Sequence, residues 1–165
     1  MIIEKYNSRW PQAFLAIKAE LENTITEYIT IEHVGSTSVP GLAAKPIIDL
    51  DVVVEDEAQF FRLKEELAKM GYTHEGNLGI PGREAFDYEG KTHLMVHHLY
   101  VCPKDSPELR RHLSFRDYLR GHPEAVQKYS HIKEEAARLF PNDIDGYIKH
   151  KGTLIEKIYK EIGLV

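Results

Sequence analysis

The chain has 165 residues, 42% of them hydrophobic and 28% charged, which is typical of a folded globular protein and not of a disordered one. A net charge of −5 argues against binding to long nucleic acids. No apolar run approaches the roughly 20 residues of a membrane span, the N-terminal sequence does not resemble a secretory signal, and the single cysteine, Cys102, excludes an internal disulfide. We therefore expect a cytoplasmic protein.

Hydrophobic periodicity and turn residues divide the chain into five helices and five strands. In chain order, the pattern predicts a helix over 11–23, a strand over 28–34, a loop over 35–46, a strand over 47–54, a helix over 56–70, a strand over 72–75, a loop over 76–82, strands over 84–88 and 93–102, and helices over 107–120, 123–139 and 143–162. A strand-rich part followed by helices indicates an α+β fold with a mixed β-sheet flanked by helices. We expect a single domain over 1–165, with a core at about 28–102 and C-terminal helices at about 107–162.

The predicted strand IIDLDVVV (47–54) carries two carboxylates in an otherwise apolar segment. Because side chains alternate across a sheet, Asp49 and Asp51 share one face, while Ile48, Leu50 and the valines at 52 and 54 share the other. Neighbouring carboxylates repel each other and resist burial. A divalent cation that prefers oxygen ligands, Mg²⁺ or Mn²⁺, would relieve this repulsion; a solvated face or neutralising basic neighbours would do so equally.

The segment Gly35–Ser36 precedes this strand and has a composition suited to an anion. Glycine allows the backbone to approach a ligand closely, and a serine hydroxyl with the following N–H groups can hold a phosphate. A strand, Gly-Ser, a loop and then a strand with Asp-x-Asp together resemble the pattern of the nucleotidyltransferase superfamily.

A more specific resemblance covers nearly the whole chain. The run IEHVGSTSVPGLAAKPIIDLDVVV (31–54) resembles the signature of the GrpB-like family, and later segments resemble further motifs of that family. These are YNSRWP (6–11), GREAF (82–86), HHLYV (97–101), FRDYLRGHP (115–123) and the spaced pair Tyr147 and Lys151.

The resemblance implies a nucleotidyltransferase-like fold and a function for each matching residue. Gly35, Ser36 and Thr37 would hold the phosphates of a nucleoside triphosphate, and Asp49 and Asp51 would bind Mg²⁺ (or Mn²⁺) and take part in catalysis. The reaction would be in-line attack of an unknown small acceptor on the α-phosphate, with pyrophosphate leaving. The alternative is a catalytically degenerate protein of the same fold that binds a nucleotide or a phosphorylated metabolite.

Many active members of the superfamily have a third carboxylate on a neighbouring strand. The predicted strand over 93–102 contains no Asp or Glu, so His98 or His97 would occupy that position, and a histidine can act as a general base near neutral pH. Glu84 or Asp87 on the preceding strand could supply a carboxylate instead. The sequence leaves these four open, and we expect His98 to be the catalytic one.

Several basic residues are candidates for binding substrate anions, because arginine suits phosphate geometry and lysine is a compact charge. They are Lys45, Arg83, Arg116 and Arg120. Pairing with acidic neighbours on a solvated surface is the alternative for each. Tyr147 and Lys151, four residues apart, either line the cleft or dock a helix.

The histidines also permit a zinc hydrolase reading, although H-x3-H-H on a strand is not a recognised zinc spacing. His33 is expected to support the site through hydrogen bonds and not to bind a metal. Homodimerisation is compatible with the sequence.

Overall fold

A computed structural model describes residues 2–164 and contains an α+β fold. The helices are α1 (Trp10–Glu22), α2 (Glu57–Lys69), α3 (Pro107–Arg120), α4 (Pro123–Leu139) and α5 (Ile144–Glu161). The strands are β1 (Thr30–Val34), β2 (Ile48–Val54), β3 (Thr73–Gly76), β4 (Glu84–Asp87) and β5 (His97–Pro103). A short 3-10 helix, Ser36–Ser38, interrupts the predicted loop. None of the described helices has the length and apolar character needed to cross a bilayer.

The five strands form one mixed sheet in the order β1-β2-β5-β4-β3. The central strands β2 and β5 pair in parallel, and the other three pairings are antiparallel. This arrangement confirms the predicted mixed sheet. The register places Asp49 beside His98 and Asp51 beside Tyr100, so these four side chains share one face of the sheet.

The opposite face of the sheet carries the main hydrophobic core. Helices α1 and α2 pack on it, and their buried residues meet Ile48, Leu50 and Val52 of β2 and Leu99 of β5. These strand residues have no exposed surface. Apolar side chains at every second position of β2 therefore anchor that strand and leave the intervening aspartates on the other face.

The C-terminal helices form a second core with the loop that follows β1. Val39 and Leu42 of that loop pack against Leu119 of α3, Tyr129 of α4 and Ile158 of α5. The contact holds the Gly35–Ser36 segment between the sheet and the helical part. It thereby brings α4 and α5 to the edge of the face that bears the two aspartates.

The last strand begins four residues later than the sequence predicted. Residues 93–96 lie outside β5, because a turn closes here with hydrogen bonds from Thr92 N to Gly90 O and from Leu94 N to Lys91 O. The observed strand begins at His97 and extends to Pro103. The remaining elements agree with the prediction to within two residues at each end.

Candidate functional site

Gly35 joins β1 to the 3-10 helix and lies directly against Asp49. Its φ of 73° and ψ of −176° belong to a region that only glycine adopts readily. A Cβ atom at this position would lie 2.4 Å from Asp49 Oδ2. The absence of a side chain is thus what allows the loop backbone to reach the carboxylate.

Asp49 and His98 form a hydrogen-bonded pair across the two central strands. Their Oδ1 and Nδ1 atoms are 3.0 Å apart, and both side chains are partly exposed. The hydrogen bond that His98 donates to Asp49 raises the pKa of His98, against the lowering effect of burial. An imidazole held at Nδ1 is suited to moving a proton through its other nitrogen.

Asp51 is fully buried and is contacted by a residue that the sequence reasoning missed. Its Oδ2 accepts a hydrogen bond of 2.6 Å from His112 Nδ1, and the Nε2 of that ring lies 3.1 Å from Glu108 Oε1. Burial acts to lower the pKa of His112, but the hydrogen bond and charge of Asp51, together with Glu108, outweigh it and raise the pKa. Burial also raises the pKa of Asp51.

The second oxygen of Asp51 has a different environment. Oδ1 is buried and has no hydrogen-bond partner. A buried carboxylate oxygen without a partner is costly, and a hard cation is one kind of ligand that would satisfy it.

A small cleft of about 150 Å³ opens beside Asp49, between the loop and the C-terminal helices. It is lined by Ser36, Thr37, Ala44, Lys45, Ile47, Asp49, His98, Lys133, Tyr147 and Lys151. Seven residues that the sequence analysis considered for the site, Tyr147 and Lys151 included, thus meet here, and Lys133, which was not among them, joins them. Tyr147 and Lys151 line the cleft, in agreement with the first of the two alternatives considered for them.

Lys133 on α4 is 3% exposed and reaches the loop. Its Nζ donates hydrogen bonds of 2.5 Å to Ser36 Oγ and 3.0 Å to Ala43 O. Burial, followed by the charge of Lys151, lowers the pKa of Lys133 to about 7. No sequence signal marks it, because lysine is common on helices and its burial depends on how α4 packs.

The three arginine candidates lie outside this cleft and have structural contacts of their own. Arg116 Nη1 is 3.1 Å from Glu32 Oε2, and its Nε is 2.9 Å from Asp117 Oδ1. Arg120 Nε donates to Ser38 O at 2.9 Å. Arg83 lies over the Tyr100 ring, 4.2 Å from the centroid, and its buried Nε lacks a hydrogen-bond partner.

Of the four candidates for the third position, the structure brings His98 to the aspartates. His97 faces the core, where its Nε2 lies 2.8 Å from the Tyr72 hydroxyl oxygen, and burial lowers its pKa. Glu84 is paired with His74 at 2.9 Å. Asp87 is exposed at the end of β4 and pairs in register with Thr73.

The remaining histidines do not assemble with the aspartates as a zinc hydrolase would require. His93 Nε2 lies 2.7 Å from Glu20 Oε2, a residue of helix α1. His33 stacks on Phe14, and its Nε2 lies 3.0 Å from Thr37 Oγ1. Among residues 2–164, no group of three or more His, Cys, Asp or Glu side chains is arranged to hold a metal ion.

Comparison with solved structures relates this fold to two kinds of protein. The crystal structure of the conserved protein GrpB from Enterococcus faecalis is 36% identical, with a TM-score of 0.83 over 98% of this chain and 96% of that one. The Cid1 poly(U) polymerase, in a crystal structure described as MgGTP bound, is 14% identical, with a TM-score of 0.57 over 81% of this chain and 44% of that one. The second likeness shows the nucleotidyltransferase fold alone.

Comparison of sequences identifies the family. The UPF0157 protein YqkA of Bacillus subtilis is 38% identical over 152 residues, which are 92% of this chain and 44% of YqkA. The chain thus spans less than half the length of that relative. The model of the GrpB protein family matches residues 1–161, and the chain therefore belongs to the GrpB family, with a nucleotidyltransferase-like fold.

Proposed function

We propose that this protein is a metal-dependent nucleotidyltransferase that transfers a nucleotidyl group from a nucleoside triphosphate to a small acceptor. The observation that carries the proposal is the close fit of Gly35 against Asp49, beside the buried Asp51, on a fold shared with a nucleotide polymerase. This arrangement supports an active site in which the loop that would hold the phosphates lies directly against two carboxylates.

The residues present fit Mg²⁺ or Mn²⁺. Asp51 offers a buried oxygen without a partner, and Asp49 offers partly exposed oxygens at the cleft. Mg²⁺ commonly binds one or two carboxylates together with substrate phosphates and waters, so a third carboxylate is not required. When bound, the ion would neutralise charge on the phosphates.

The protein's own residues would then position the reactants. The Gly35–Ser36 segment would hold the phosphates through its backbone and hydroxyl groups. His98, kept in place by Asp49 through Nδ1, would accept the proton of an acceptor hydroxyl at Nε2. The partly exposed position of this ring is compatible with an acceptor that approaches from solvent.

Calorimetric titration with each nucleoside triphosphate, with and without Mg²⁺, tests the proposal when pyrophosphate is assayed in parallel. We expect metal-dependent binding and pyrophosphate release in the presence of a suitable acceptor, both lost in Asp49→Asn/Asp51→Asn. The matched control is Asp105→Asn/Asp145→Asn, which makes the same change of charge at two exposed positions. Equal affinity for Mg²⁺-nucleotide in the two double variants would contradict the proposal.

The second candidate is a protein that binds a nucleotide or phosphorylated metabolite without turnover. The contact of His112 with Asp51 favours it, because that hydrogen bond occupies one oxygen of a carboxylate that catalysis would need. It predicts saturable binding with no pyrophosphate release for any acceptor. Sustained pyrophosphate release that depends on Asp49 would exclude it.

A further inference from the structure

Three lysines from separate parts of the chain meet in the cleft beside Asp49. Lys45 comes from the segment before β2, Lys133 from α4 and Lys151 from α5. The ammonium groups of Lys45 and Lys151 lie 5.5 Å and 4.8 Å from the centroid of the Tyr147 ring. Tyr147 is 1% exposed, so both ammonium groups lie against a buried aromatic residue.

The three ammonium groups face little negative charge. Among the described residues that line the cleft, Asp49 is the one carboxylate, and it is hydrogen-bonded to His98. Within residues 2–164, no carboxylate oxygen lies within 4.0 Å of the amine of Lys45, Lys133 or Lys151. The cleft therefore contains an excess of cations over anions.

This excess is costly where the groups are buried. Lysine is rarely buried unless it is paired, because an ammonium group taken out of water needs a compensating charge. Burial lowers the pKa of both Lys133 and Lys151, and neighbouring lysines lower each further. A protein that keeps such a cluster at a cleft gains from an anion that binds there.

The position of the cluster relates it to the phosphate-holding loop. Lys133 donates to the Ser36 hydroxyl, and Ser36, Asp49 and the lysines line one continuous cleft. An anion seated on the lysines would consequently lie next to phosphates held at Gly35–Ser36. The volume of about 150 Å³ suits a chain of phosphoryl groups and not a complete nucleotide.

We infer that Lys45, Lys133 and Lys151 form a seat for the terminal phosphoryl groups of a polyphosphate chain, so that the protein selects triphosphates over monophosphates. The inference rests on the proposed function, since it assigns the leaving pyrophosphate to this cleft. It makes two claims of its own. Recognition is directed to the phosphate chain and not to the base, and it persists without a metal.

The test is calorimetric titration in metal-free buffer with inorganic tripolyphosphate, ATP, ADP and AMP. We expect tripolyphosphate and ATP to bind with similar affinity, ADP more weakly and AMP least. Lys133→Met and Lys151→Met should each weaken tripolyphosphate binding by about 10- to 100-fold, the effect of losing a charge-assisted contact. Asp49→Asn should strengthen it by about two- to fivefold, because a repelling charge is removed.

Two matched controls make the same chemical change outside the cleft. Lys128→Met on α4 and Lys149→Met on α5 remove exposed lysines and should leave the affinity within about twofold. Thermal unfolding of each variant verifies folding, and Lys45→Met, at a more exposed position, replaces Lys133→Met if the latter does not fold. Equal losses in cleft and control variants, or no metal-free binding of tripolyphosphate, would overturn the inference.

The pyrophosphate assay with Mg²⁺, applied to the same variants, separates this inference from the proposed function. Lysine-dependent tripolyphosphate binding without any Mg²⁺-dependent turnover would leave the polyphosphate seat standing and remove the transferase. Conversely, turnover that depends on Asp49 and Asp51 but is unchanged in Lys133→Met and Lys151→Met would support the transferase and refute the seat.

Discussion

Replacing Gly35 with alanine tests the close approach on which the candidate site depends. The substitution meets two penalties. The backbone conformation, with φ of 73° and ψ of −176°, costs a residue with a Cβ about 1–3 kcal/mol. The new methyl group would also lie 2.4 Å from Asp49 Oδ2 and 3.0 Å from Asp49 Cβ, an overlap that costs a further 1–3 kcal/mol or so.

Together these effects predict a loss of about 2–6 kcal/mol in the free energy of unfolding. At about 2–4 °C per kcal/mol for a protein of this size, the loss corresponds to a fall of about 4–24 °C in Tm. The shifted Asp49 carboxylate should also weaken Mg²⁺-dependent nucleotide binding. Thermal unfolding measures the first effect, and calorimetric titration measures the second.

Gly71→Ala is the matched control, because its φ is also positive, at 91°, but nothing lies within 4 Å of the added Cβ. It should cost about 1 kcal/mol, or about 2–4 °C in Tm, and leave nucleotide affinity unchanged. In Gly35→Ala/Asp49→Ala the overlap with the carboxylate disappears, so the two effects on stability should be less than additive. Equal Tm values for Gly35→Ala and Gly71→Ala, or strict additivity in the double variant, would refute the reasoning.

Two further predictions concern buried groups that titrate. Lys133→Met should raise the free energy of unfolding at pH 7 by about 1–3 kcal/mol, because the lowered pKa of Lys133 means that the unfolded chain binds the proton more tightly. Urea unfolding measures this gain, which should shrink as the pH rises toward 10.5. A less stable variant at pH 7 would contradict the prediction. Burial lowers the pKa of His33 from 6.5 to about 4, so the unfolded chain takes up a proton at His33 at a higher pH than the folded protein does. This difference should lower the free energy of unfolding by up to about 3 kcal/mol as the pH falls from 6.5 toward 4. His33→Gln should reduce this dependence in unfolding measured at several pH values, whereas His131→Gln, at an exposed position, should leave it intact.

The face of the sheet that bears the site could be predicted from the sequence because a strand has a period of two. Alternation alone put Asp49 and Asp51 together and separated His98 from His97, and the register agrees. The bounds of α3 and α4 were equally accessible, since each begins with a proline that favours the first turn. These features depend on local sequence.

The contacts supplied by the C-terminal helices could not be predicted in this way. His112 lies 61 positions from Asp51, and Lys133 lies 97 positions from Ser36. In the sequence of α4, Lys133 and Lys128 are alike; packing buries the first and exposes the second. Similarly, the sequence could not show that Glu32 lies within 3.1 Å of Arg116.

The alternation along β2 also has a consequence for misfolding. The same strand supplies three core residues with no exposed surface, Ile48, Leu50 and Val52. It also supplies both aspartates of the opposite face. A slip of one residue in its pairing would push two carboxylates among the side chains of α1 and α2 and turn the apolar set toward the cleft. The core residues of β2 therefore favour the one register that also keeps both carboxylates on the face of the candidate site.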